Sequence, residues 1–302
     1  MTASDTRRPP PRVPSDTVTS LWYVPYTSGA WGTAARIGSI PSAPYPALAG
    51  FPTQNALYCL HPDAGDASMR WTVYNGDVWS GDHGDDETPH HLYGSAVAAF
   101  GDRLYCVHSR PDDTGPLYCT STAEGRRWTP DRQIASGTSG AVALTAGAEH
   151  LYAFHAPGSG LQEQHFDGTR WSDPTTVADG FSGFTPAAAT YRGVPHCVVL
   201  AQDPNGDQSL LWTSLVGGRW ATPTRIPGTT YDALPALGVS NDDRLVCVYC
   251  AYDGDNQLWW TEYDGAKWWD QPRKMNLTAH NSSATLAGYD GILYLVYNPL
   301  TG

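Results

Sequence analysis

The chain has 302 residues and a formal net charge of −12, with 18 Lys and Arg against 30 Asp and Glu. That charge argues against a nucleic-acid partner or an anionic membrane surface, because phosphate groups would be repelled. Twelve Trp, 17 Tyr and 31 Gly, with only 16% charged residues, are typical of short aromatic strands joined by tight turns. The composition therefore favours an all-β fold and a neutral or cationic partner.

The N-terminal segment predicts a disordered polar tail over residues 1–19. Met1–Ser15 is rich in Pro and Arg and lacks the apolar core of a signal peptide. Nor does any stretch of the chain approach the roughly 18 apolar residues that span a bilayer. We therefore expect residues 20–302 to form one domain that stays in the cytoplasm, with secretion by a non-classical route left open. The sequence also leaves the oligomeric state open.

Two signals recur along the chain at nearly equal intervals. The segments Leu57–His61, Leu104–His108 and Leu151–His155 (LYCLH, LYCVH and LYAFH) start 47 residues apart. Repeats of about 40–50 residues that hold four strand-like segments are the signature of β-propeller blades. A Gly-x-x-Trp motif recurs in step with them and ends at Trp79, Trp128, Trp171, Trp220 and Trp268, with a weaker copy at Trp31.

One repeat divides into four predicted strands. Pro46–Phe51 is the first, Leu57–His61 the second, Met69–Tyr74 the third, and the segment opened by Trp79 the fourth. The first strands are rich in Ala and Gly, as in PALAGF and SAVAAF, and small side chains suit the crowded axis where propeller blades converge. We therefore expect the first strand of each repeat to be innermost.

The two ends of the chain are out of phase with the repeat. The N-terminal part opens on a third-strand segment, Leu21–Tyr26, whereas the C-terminal part closes on a first and a second strand, Ser283–Tyr289 and Ile292–Tyr297. Pairing these ends completes a sixth blade and removes two exposed sheet edges. The sequence thus predicts an all-β, six-bladed β-propeller of four-stranded antiparallel blades, closed by pairing N-terminal strands with C-terminal strands.

A turn with the pattern aromatic-Asp-Gly-x-x-Trp, as in Phe166–Trp171 and Tyr263–Trp268, characterises the repeat over Leu21–Pro299. This repeat resembles that of the fungal and bacterial six-bladed fucose-binding lectins, and more loosely that of the tectonin and tachylectin-type propeller lectins. The resemblance implies inter-blade pockets that hold the sugar with an Arg from the second strand, a Glu from the third strand and an aromatic platform. It therefore implies glycan binding by the same fold.

This chain departs from that pocket pattern at both polar positions. No Arg stands at the second-strand position, and only Glu163 retains the acid. We therefore expect a glycan or another small neutral ligand, held without that mode of fucose recognition. The aligned second-strand residues are Tyr58, Tyr105, Tyr152, His196, Val246 and Tyr294, and the aligned third-strand residues are Tyr23, Trp71, Cys119, Glu163, Trp212 and Trp260.

The aromatic residues that vary between repeats are the predicted sugar platforms. The Gly-x-x-Trp tryptophans recur in every repeat, as residues that seal one blade on the next should. The recurring histidines are predicted to be scaffold or ligand contacts, because equivalent off-axis positions in rotated blades do not converge on one metal ion. The predicted ligand-binding residues are Trp22, Trp71, Trp212, Trp259, Trp260, Glu163, His61, His108, His155 and Tyr105.

An enzyme of the lyase, cyclase or hydrolase type, acting at the axial channel of the propeller, is the alternative prediction. The connector Gly81–Tyr93 (GDHGDDETPHHLY) has no counterpart in the other repeats and carries acid and base groups, although a solvated loop explains it equally well. No serine-hydrolase, P-loop, zinc-protease or dinucleotide-binding motif occurs. The catalytic candidates are Glu163 and His165, one strand period apart on the same face, with His90, His91 and Glu262.

Acidic residues in the loops between second and third strands raise the question of Ca²⁺. Tight hairpins explain these acids, and the alternative is an ion shared within a loop such as Asp253–Asn256 (DGDN). We predict no cofactor and no bound metal, with Ca²⁺ as the open alternative. The acids are Asp63, Asp66, Asp112, Asp113, Asp203, Asp207, Asp253 and Asp255.

The cysteines predict a reduced chain. Cys59, Cys106, Cys197 and Cys247 fall at one position of the repeat, as small buried residues do, and not at the spacing of metal ligands. A bond between Cys106 and Cys119 across a hairpin is left open.

Overall fold

The computed structural model describes residues 19–42, 45–85, 87, 90–110, 113–136, 141–157, 159–182, 185–202, 208–229, 234–251, 256–279 and 284–300. The predicted tail lies outside these residues except for Thr19, which already begins a strand. The helical element in the described stretches is the short 3₁₀ turn Pro52–Gln54. No helix there is long and apolar enough to cross a bilayer.

Six antiparallel sheets each form one blade; the strands of five blades follow in chain order, and the sixth combines strands from the two ends of the chain. The strands of blade 1 are Ala47–Phe51, Ala56–Pro62, Met69–Tyr74 and His83–Gly84; those of blade 2 are Tyr93–Phe100, Arg103–Arg110, Asp113–Thr122 and Arg132–Ala135; those of blade 3 are Val142–Ala146, Leu151–His155, Ser159–Phe166 and Thr175–Ser182.

The remaining blades follow the same order. The strands of blade 4 are Pro186–Tyr191, Val194–Gln202, Gln208–Val216 and Thr224–Arg225; those of blade 5 are Ala236–Val239, Leu245–Cys250, Gln257–Tyr263 and Arg273–Thr278; those of blade 6 are Thr285–Tyr289, Ile292–Tyr297, Thr19–Thr27 and Ala35–Ser42. Two short strands, Ala30–Trp31 and Arg219–Trp220, extend the third strands of blades 6 and 4 as hairpins.

Blade 6 closes the ring as predicted. Its N-terminal third strand pairs with its C-terminal second strand, in a register that runs from Trp22 opposite Tyr297 to Tyr26 opposite Leu293. The first strand of each blade also contacts the first strands of both neighbours, including those of blades 6 and 1. The six-bladed β-propeller predicted from the sequence is therefore confirmed.

The first strands surround the axis, where space is short. A Cβ added to Gly50 would lie 2.5 Å from the carbonyl oxygen of Gly288 in the neighbouring blade, so glycine is required by the close approach of the two strands. The first strands of all six blades line an axial cavity of about 300 Å³. The prediction that small residues mark the innermost strand is confirmed.

The Gly-x-x-Trp motif forms a turn after the third strand and does not open the fourth strand directly. In blade 1, Oδ1 of Asn75 accepts hydrogen bonds from the backbone N–H groups of Asp77 and Val78 over 3.0 and 2.9 Å, and Gly76 takes a left-handed φ of 98°. Trp79 then bridges back to the third strand, and the fourth strand begins only at His83. Asp167 and Asp264 cap the equivalent turns of blades 3 and 5.

Six clusters of buried side chains hold the blades together, one at each junction between neighbours. The turn tryptophans reach into these junctions: the ring of Trp128 lies 6.2 Å from that of Trp71 in blade 1, and the ring of Trp31 lies 5.9 Å from that of Trp260 in blade 5. Their predicted role as seals between blades is confirmed at these junctions. All six cysteines are free and buried, so Cys106 and Cys119 are not bonded to each other.

Candidate ligand-binding site

Three of the predicted sugar platforms are packed between blades. Trp71 and Trp260 are 3% and 5% exposed and belong to the cores at the junctions of blades 1 and 2 and of blades 5 and 6. Tyr105 is buried in the core between blades 2 and 3. These rings therefore present almost no surface to a ligand in this structure.

The other three predicted platforms are partly buried and pack on the chain itself. Trp212 stacks on His196 and donates its indole N–H to Nδ1 of that ring over 2.9 Å. Trp22 donates its indole N–H to Oγ of Ser20 over 3.0 Å. Trp259 packs against the core between blades 4 and 5. The aromatic platforms expected on third strands thus serve the packing of the blades.

The inter-blade pocket implied by the lectin resemblance is filled by side chains. At its second-strand position, Tyr58, His196, Val246 and Tyr294 are each no more than 5% exposed. At its third-strand position, Glu163 is 4% exposed. These five side chains pack against the next blade, whereas Tyr23, Tyr152 and Trp212 at the same two positions are only partly buried.

His61 and His108 occupy equivalent positions in blades 1 and 2 and make equivalent contacts. In each ring, Nδ1 lies 3.3 Å from the carbonyl oxygen of the following residue. Nε2 of His61 lies 3.1 Å from Oδ1 of Asp82, which also binds Arg70, and Nε2 of His108 lies 3.1 Å from Oδ1 of Asp131. Both rings are fully buried, so their contacts lie within the blade.

Asp131 joins two histidines and an arginine. Its Oδ1 lies 2.6 Å from Nδ1 of His90 and 3.1 Å from Nε2 of His108, and its Oδ2 accepts an N–H from Arg110 over 2.8 Å. Burial alone would raise the pKa of Asp131. The hydrogen bonds from His108, His90 and Arg110 outweigh burial and hold that pKa well below its usual range.

The connector between blades 1 and 2 is fastened to those blades along its length. Oδ2 of Asp85 accepts the backbone N–H of Trp128 over 2.9 Å, and Nδ1 of the exposed His91 lies 3.1 Å from the carbonyl oxygen of Asp66. With His90 bound to Asp131, these contacts account for much of the unusual composition of the connector. Asp86, Thr88 and Pro89 lie outside the described residues.

The third recurring histidine, His155, has an amide partner. Its Nε2 lies 3.2 Å from Oε1 of Gln164, and the Gln164 amide donates to the carbonyl oxygens of Ile134 and Ser172 over 3.2 and 2.9 Å. Because carbonyl oxygens engage the amide N–H groups, the amide oxygen faces the ring, and Nε2 of His155 carries the proton. Its Nδ1 is then a bare acceptor, and it is buried with no partner among the described residues.

Burial lowers the pKa of His155, although the hydrogen bond to Gln164 opposes this shift. The ring is therefore neutral at neutral pH and offers a lone pair at Nδ1. It lies at the base of a groove of about 460 Å³ between the fourth strand of blade 2 and blade 3, and Trp171 forms part of the wall. The polar side chains that line this groove are those of Gln133, Ser136, Gln162, Gln164 and Ser172, with one cation, Arg132, and one anion, Asp173.

A second cavity of about 330 Å³ lies on the other side of Trp171. His150 and His165 line it, with their ring centroids 4.8 Å apart. Nδ1 of His165 lies 3.1 Å from Oε1 of the buried Glu163, so the predicted pairing of these two side chains on one face is confirmed. Burial raises the pKa of Glu163, and hydrogen bonds from His165 and from Trp220 of blade 4 partly offset this effect.

The five catalytic candidates do not meet at the axis. Glu163 and His165 face the junction of blades 3 and 4, while His90 and His91 lie in the connector between blades 1 and 2. Glu262 lies at the junction of blades 5 and 6, where it accepts a hydrogen bond from the hydroxyl of Tyr26. None of the five lines the axial cavity as far as the structure describes it, because each is held by partners elsewhere.

Sequence reasoning missed the partners that distinguish the three histidines. Asp82 and Asp131 stand three residues after the tryptophan of the Gly-x-x-Trp motif, and only blades 1 and 2 have Asp there. A comparison of this position across the repeats would have found both acids. Gln164 carries no such signal, because its importance depends on the carbonyl groups that surround its amide.

The acidic loops are described in part. In blade 1, Oδ1 of Asp63 accepts the backbone N–H of Gly65 over 2.7 Å, and Oδ1 of Asp66 accepts that of Ser68 over 2.8 Å, as expected of a tight hairpin. Asp113 begins the third strand of blade 2. The other acids considered for Ca²⁺, namely Asp112, Asp203, Asp207, Asp253 and Asp255, lie outside the described residues.

The chain is similar to known proteins in structure but not in sequence. The sequence matches no protein-family model and shows no significant similarity to a curated protein. Its structure is similar to that of the lectin from the fungus Aleuria aurantia, described as a six-bladed β-propeller with a novel fucose recognition mode. The TM-score is 0.60 at 17% identity, over 78% of this chain and 82% of the lectin.

Two further solved structures give the same result. SapL1 lectin, solved with α-methyl fucoside, matches with a TM-score of 0.62 at 15% identity, over 85% of this chain and 89% of the lectin. AofleA from Arthrobotrys oligospora matches with a TM-score of 0.59 at 14% identity, over 95% of this chain and 86% of that protein. Since identities this low establish architecture alone, the chain is a six-bladed β-propeller with the fold of the fucose-binding lectins.

Proposed function

We propose that this chain is a carbohydrate-binding propeller whose ligand is a neutral glycan held in the groove between blades 2 and 3. The observation that carries this proposal is the groove itself, which combines Trp171, neutral amide and hydroxyl side chains and the neutral ring of His155. Nδ1 of His155 has no partner among the described residues and is shielded from solvent in this structure. An unpaired buried acceptor costs about 1–3 kcal/mol, and a sugar hydroxyl admitted by a small shift of the ring would recover this free energy.

The walls of the groove suit the same ligand. Amide and hydroxyl side chains both donate and accept hydrogen bonds, as sugar hydroxyls do. Trp171 supplies an aromatic surface for the C–H face of a sugar ring. Arg132 and Asp173 balance each other in charge, which favours a neutral ligand. The volume lies within the range of about 300–1,000 Å³ that is usual for small-molecule sites.

The similar structures support this class of ligand. Two of them are described by their fucose recognition mode or were solved with a bound fucoside, and all three share the propeller fold. Fucosides are therefore the first probes. Because the positions of the Arg and Glu mode are filled here, we propose that the residues around His155 hold the sugar, in one site on blade 3.

A glycan-array screen followed by calorimetry tests the proposal. His155→Phe keeps a ring of similar shape and removes the acceptor at Nδ1. Loss of one neutral hydrogen bond of about 1.4 kcal/mol predicts roughly 10-fold weaker binding. Gln162→Ala, in the wall of the same groove, should also weaken binding. Trp212→Phe changes a partly buried aromatic residue of blade 4 and serves as the matched control, with affinity expected to match that of the wild type.

If the protein binds none of the glycans on the array and does not bind α-methyl fucoside, this result would count against glycan binding. Binding that weakens in Trp212→Phe but survives in His155→Phe and Gln162→Ala would move the site to blade 4. Repeating the calorimetry with EDTA, and again with Ca²⁺ restored, tests the Ca²⁺ alternative. We expect the same affinity in both, because the groove binds through neutral hydrogen-bonding groups.

A further inference from the structure

A separate cluster, where the connector meets blade 2, has the donor set of a transition-metal site. Nδ1 of His90, Nε2 of His108 and a carboxylate oxygen of Asp131 all lie within 4.8 Å of one another. They come from three segments: the connector, the second strand of blade 2 and the loop before its fourth strand. We propose that these three side chains bind one divalent transition-metal ion, with Zn²⁺ as the first choice.

The contacts of His108 are compatible with a cation beside Asp131. Nδ1 of His108 faces the carbonyl oxygen of Ser109, and Nε2 faces Oδ1 of Asp131. Both partners are acceptors, whereas a neutral imidazole has a single N–H. When Nδ1 donates to the carbonyl, Nε2 directs its lone pair at the carboxylate. A metal ion bound by Nε2 and Oδ1 would satisfy both atoms, and metal-bound histidines commonly donate their other N–H to a backbone carbonyl. His61 makes the same two contacts but has no third ligand beside it, so the case for an ion at His108 rests on the three-residue cluster.

His90 and Arg110 complete the arrangement. Nδ1 of His90 lies 2.6 Å from the same Oδ1 of Asp131, and its Nε2 has no partner among the described residues, so the polar contact of this ring is directed at the cluster. Arg110 binds Oδ2 over 2.8 Å and thereby turns Oδ1 towards both rings. Ligands about 2.0–2.1 Å from Zn²⁺ in a tetrahedron stand about 3.3 Å apart. The distance between Nδ1 of His90 and Oδ1 of Asp131 therefore has to lengthen by about 0.7 Å to admit the ion.

The donor set selects the class of metal. Two imidazole nitrogens and one carboxylate suit Zn²⁺ and the neighbouring transition metals, whereas Ca²⁺ and Mg²⁺ prefer oxygen ligands. His90 and His108 are 3% and 0% exposed, and the Asp131 side chain is 6% exposed. An ion held in this way would fasten the connector to blade 2, and its fourth tetrahedral position would be left to a water molecule.

Blade 1 provides an internal control. His61, Asp82 and Arg70 repeat the contacts of His108, Asp131 and Arg110, but the cluster around Asp131 is the one group of three potential ligands found among the described residues. With one histidine and one carboxylate, the site in blade 1 offers two ligands only. The proposal therefore predicts one ion per chain, at blade 2.

Calorimetric titration of the tag-free, EDTA-stripped protein with ZnCl₂ tests this site. We expect one ion per chain and a rise in Tm of roughly 5 °C when free Zn²⁺ exceeds its Kd a hundredfold. Co²⁺ added to the stripped protein should give the visible absorption of a tetrahedral site. His90→Gln removes a ligand but keeps the contact between Asp131 and Arg110, and should weaken Zn²⁺ binding at least 10-fold. Asp131→Asn should do the same.

Asp82→Asn is the matched control and should bind Zn²⁺ with the stoichiometry and affinity of the wild type. Circular dichroism checks that each variant is folded, and His90→Gln decides the matter if Asp131→Asn does not fold. A wild-type protein that binds no Zn²⁺ overturns the proposal. So does a His90→Gln variant that binds like the wild type, because the ion would then sit on exposed histidines such as His83.

Discussion

Blades 1, 2 and 3 place a histidine at the same point of the repeat, yet its chemistry differs between blade 3 and the other two. His61 and His108 face carboxylates, whereas His155 faces the oxygen of an amide that neighbouring carbonyls hold in place. A carboxylate only accepts and carries charge, so it draws a proton or a cation to the ring. The amide of Gln164 leaves the ring neutral, with Nδ1 buried and unpaired among the described residues. The partner thus decides the role of a buried histidine.

The partners differ because the segment after the turn tryptophan differs. In blades 1 and 2 the third residue after that tryptophan is Asp82 or Asp131, which reaches back to the histidine. In blade 3 the equivalent residue is Pro174, which lines the groove above His155. Without an acid at this point the space stays open. One position of the repeat thus separates a buried carboxylate that binds the histidine from an open groove.

Loss of the Asp131 carboxylate should have the largest effect on stability. Asp131→Asn leaves two histidines and an arginine without their anion in a buried site, and should lower the free energy of unfolding by about 3–5 kcal/mol. Asp82→Asn, whose side chain is 20% exposed and has a single histidine partner, should cost about 1 kcal/mol. Urea unfolding at neutral pH in EDTA measures both. Equal losses would show that the second histidine and the deeper burial do not matter.

The difference in stability between the wild type and Asp131→Asn should also depend on pH. Because the folded state holds the pKa of Asp131 below its ordinary value, its contribution to stability is fully present above about pH 4 and is lost as the pH falls from there. The difference between the wild type and Asp131→Asn should therefore shrink in acid. A difference that stays constant down to the acid transition would contradict the assignment.

Replacing the amide partner of His155 by a carboxylate, the partner type of blades 1 and 2, should have an intermediate effect on stability. Gln164→Glu directs a carboxylate oxygen at the carbonyl groups of Ile134 and Ser172, which now accept from the amide. Two carbonyls that lose their donor, next to a new charge, should cost about 2 kcal/mol at neutral pH. Thermal or urea unfolding measures the loss. Gln162→Glu, two residues earlier on the same strand and in the wall of the same groove, is the control and should cost less.

The buried acid next to His165 should give the smallest effect, with a pH dependence opposite to that of Asp131. Burial raises the pKa of Glu163, so the folded state binds more protons than the unfolded state, and stability falls as the pH rises above about 4.3. Glu163→Gln removes this penalty and should gain on the order of 1 kcal/mol relative to the wild type between mild acid and neutral pH. A relative stability that does not change with pH would show that the carboxylate is not desolvated.

Much of the architecture could be predicted because its signals are local and repeat. The recurring second-strand segments, the small residues on the first strands and the Gly-x-x-Trp turn gave six blades, and the phase of the two chain ends gave the closure of the ring. The pairing of Glu163 with His165 followed from the two-residue period of a strand. The sugar platforms did not follow in this way, because exposure of Trp71 or Trp260 depends on the side chain that the next blade brings against it.

The number of blades, their strand order and the closure of the ring could be read from the residues alone, because the repeat and its turn chemistry are visible along the chain. The partner of each histidine depends instead on contacts between distant segments. His90 and Asp131 are 41 residues apart, and the amide that faces His155 is oriented by carbonyl groups of two different blades. Such sites depend on how neighbouring blades pack. That packing involves side chains from several repeats, so it cannot be read from the sequence of any one of them.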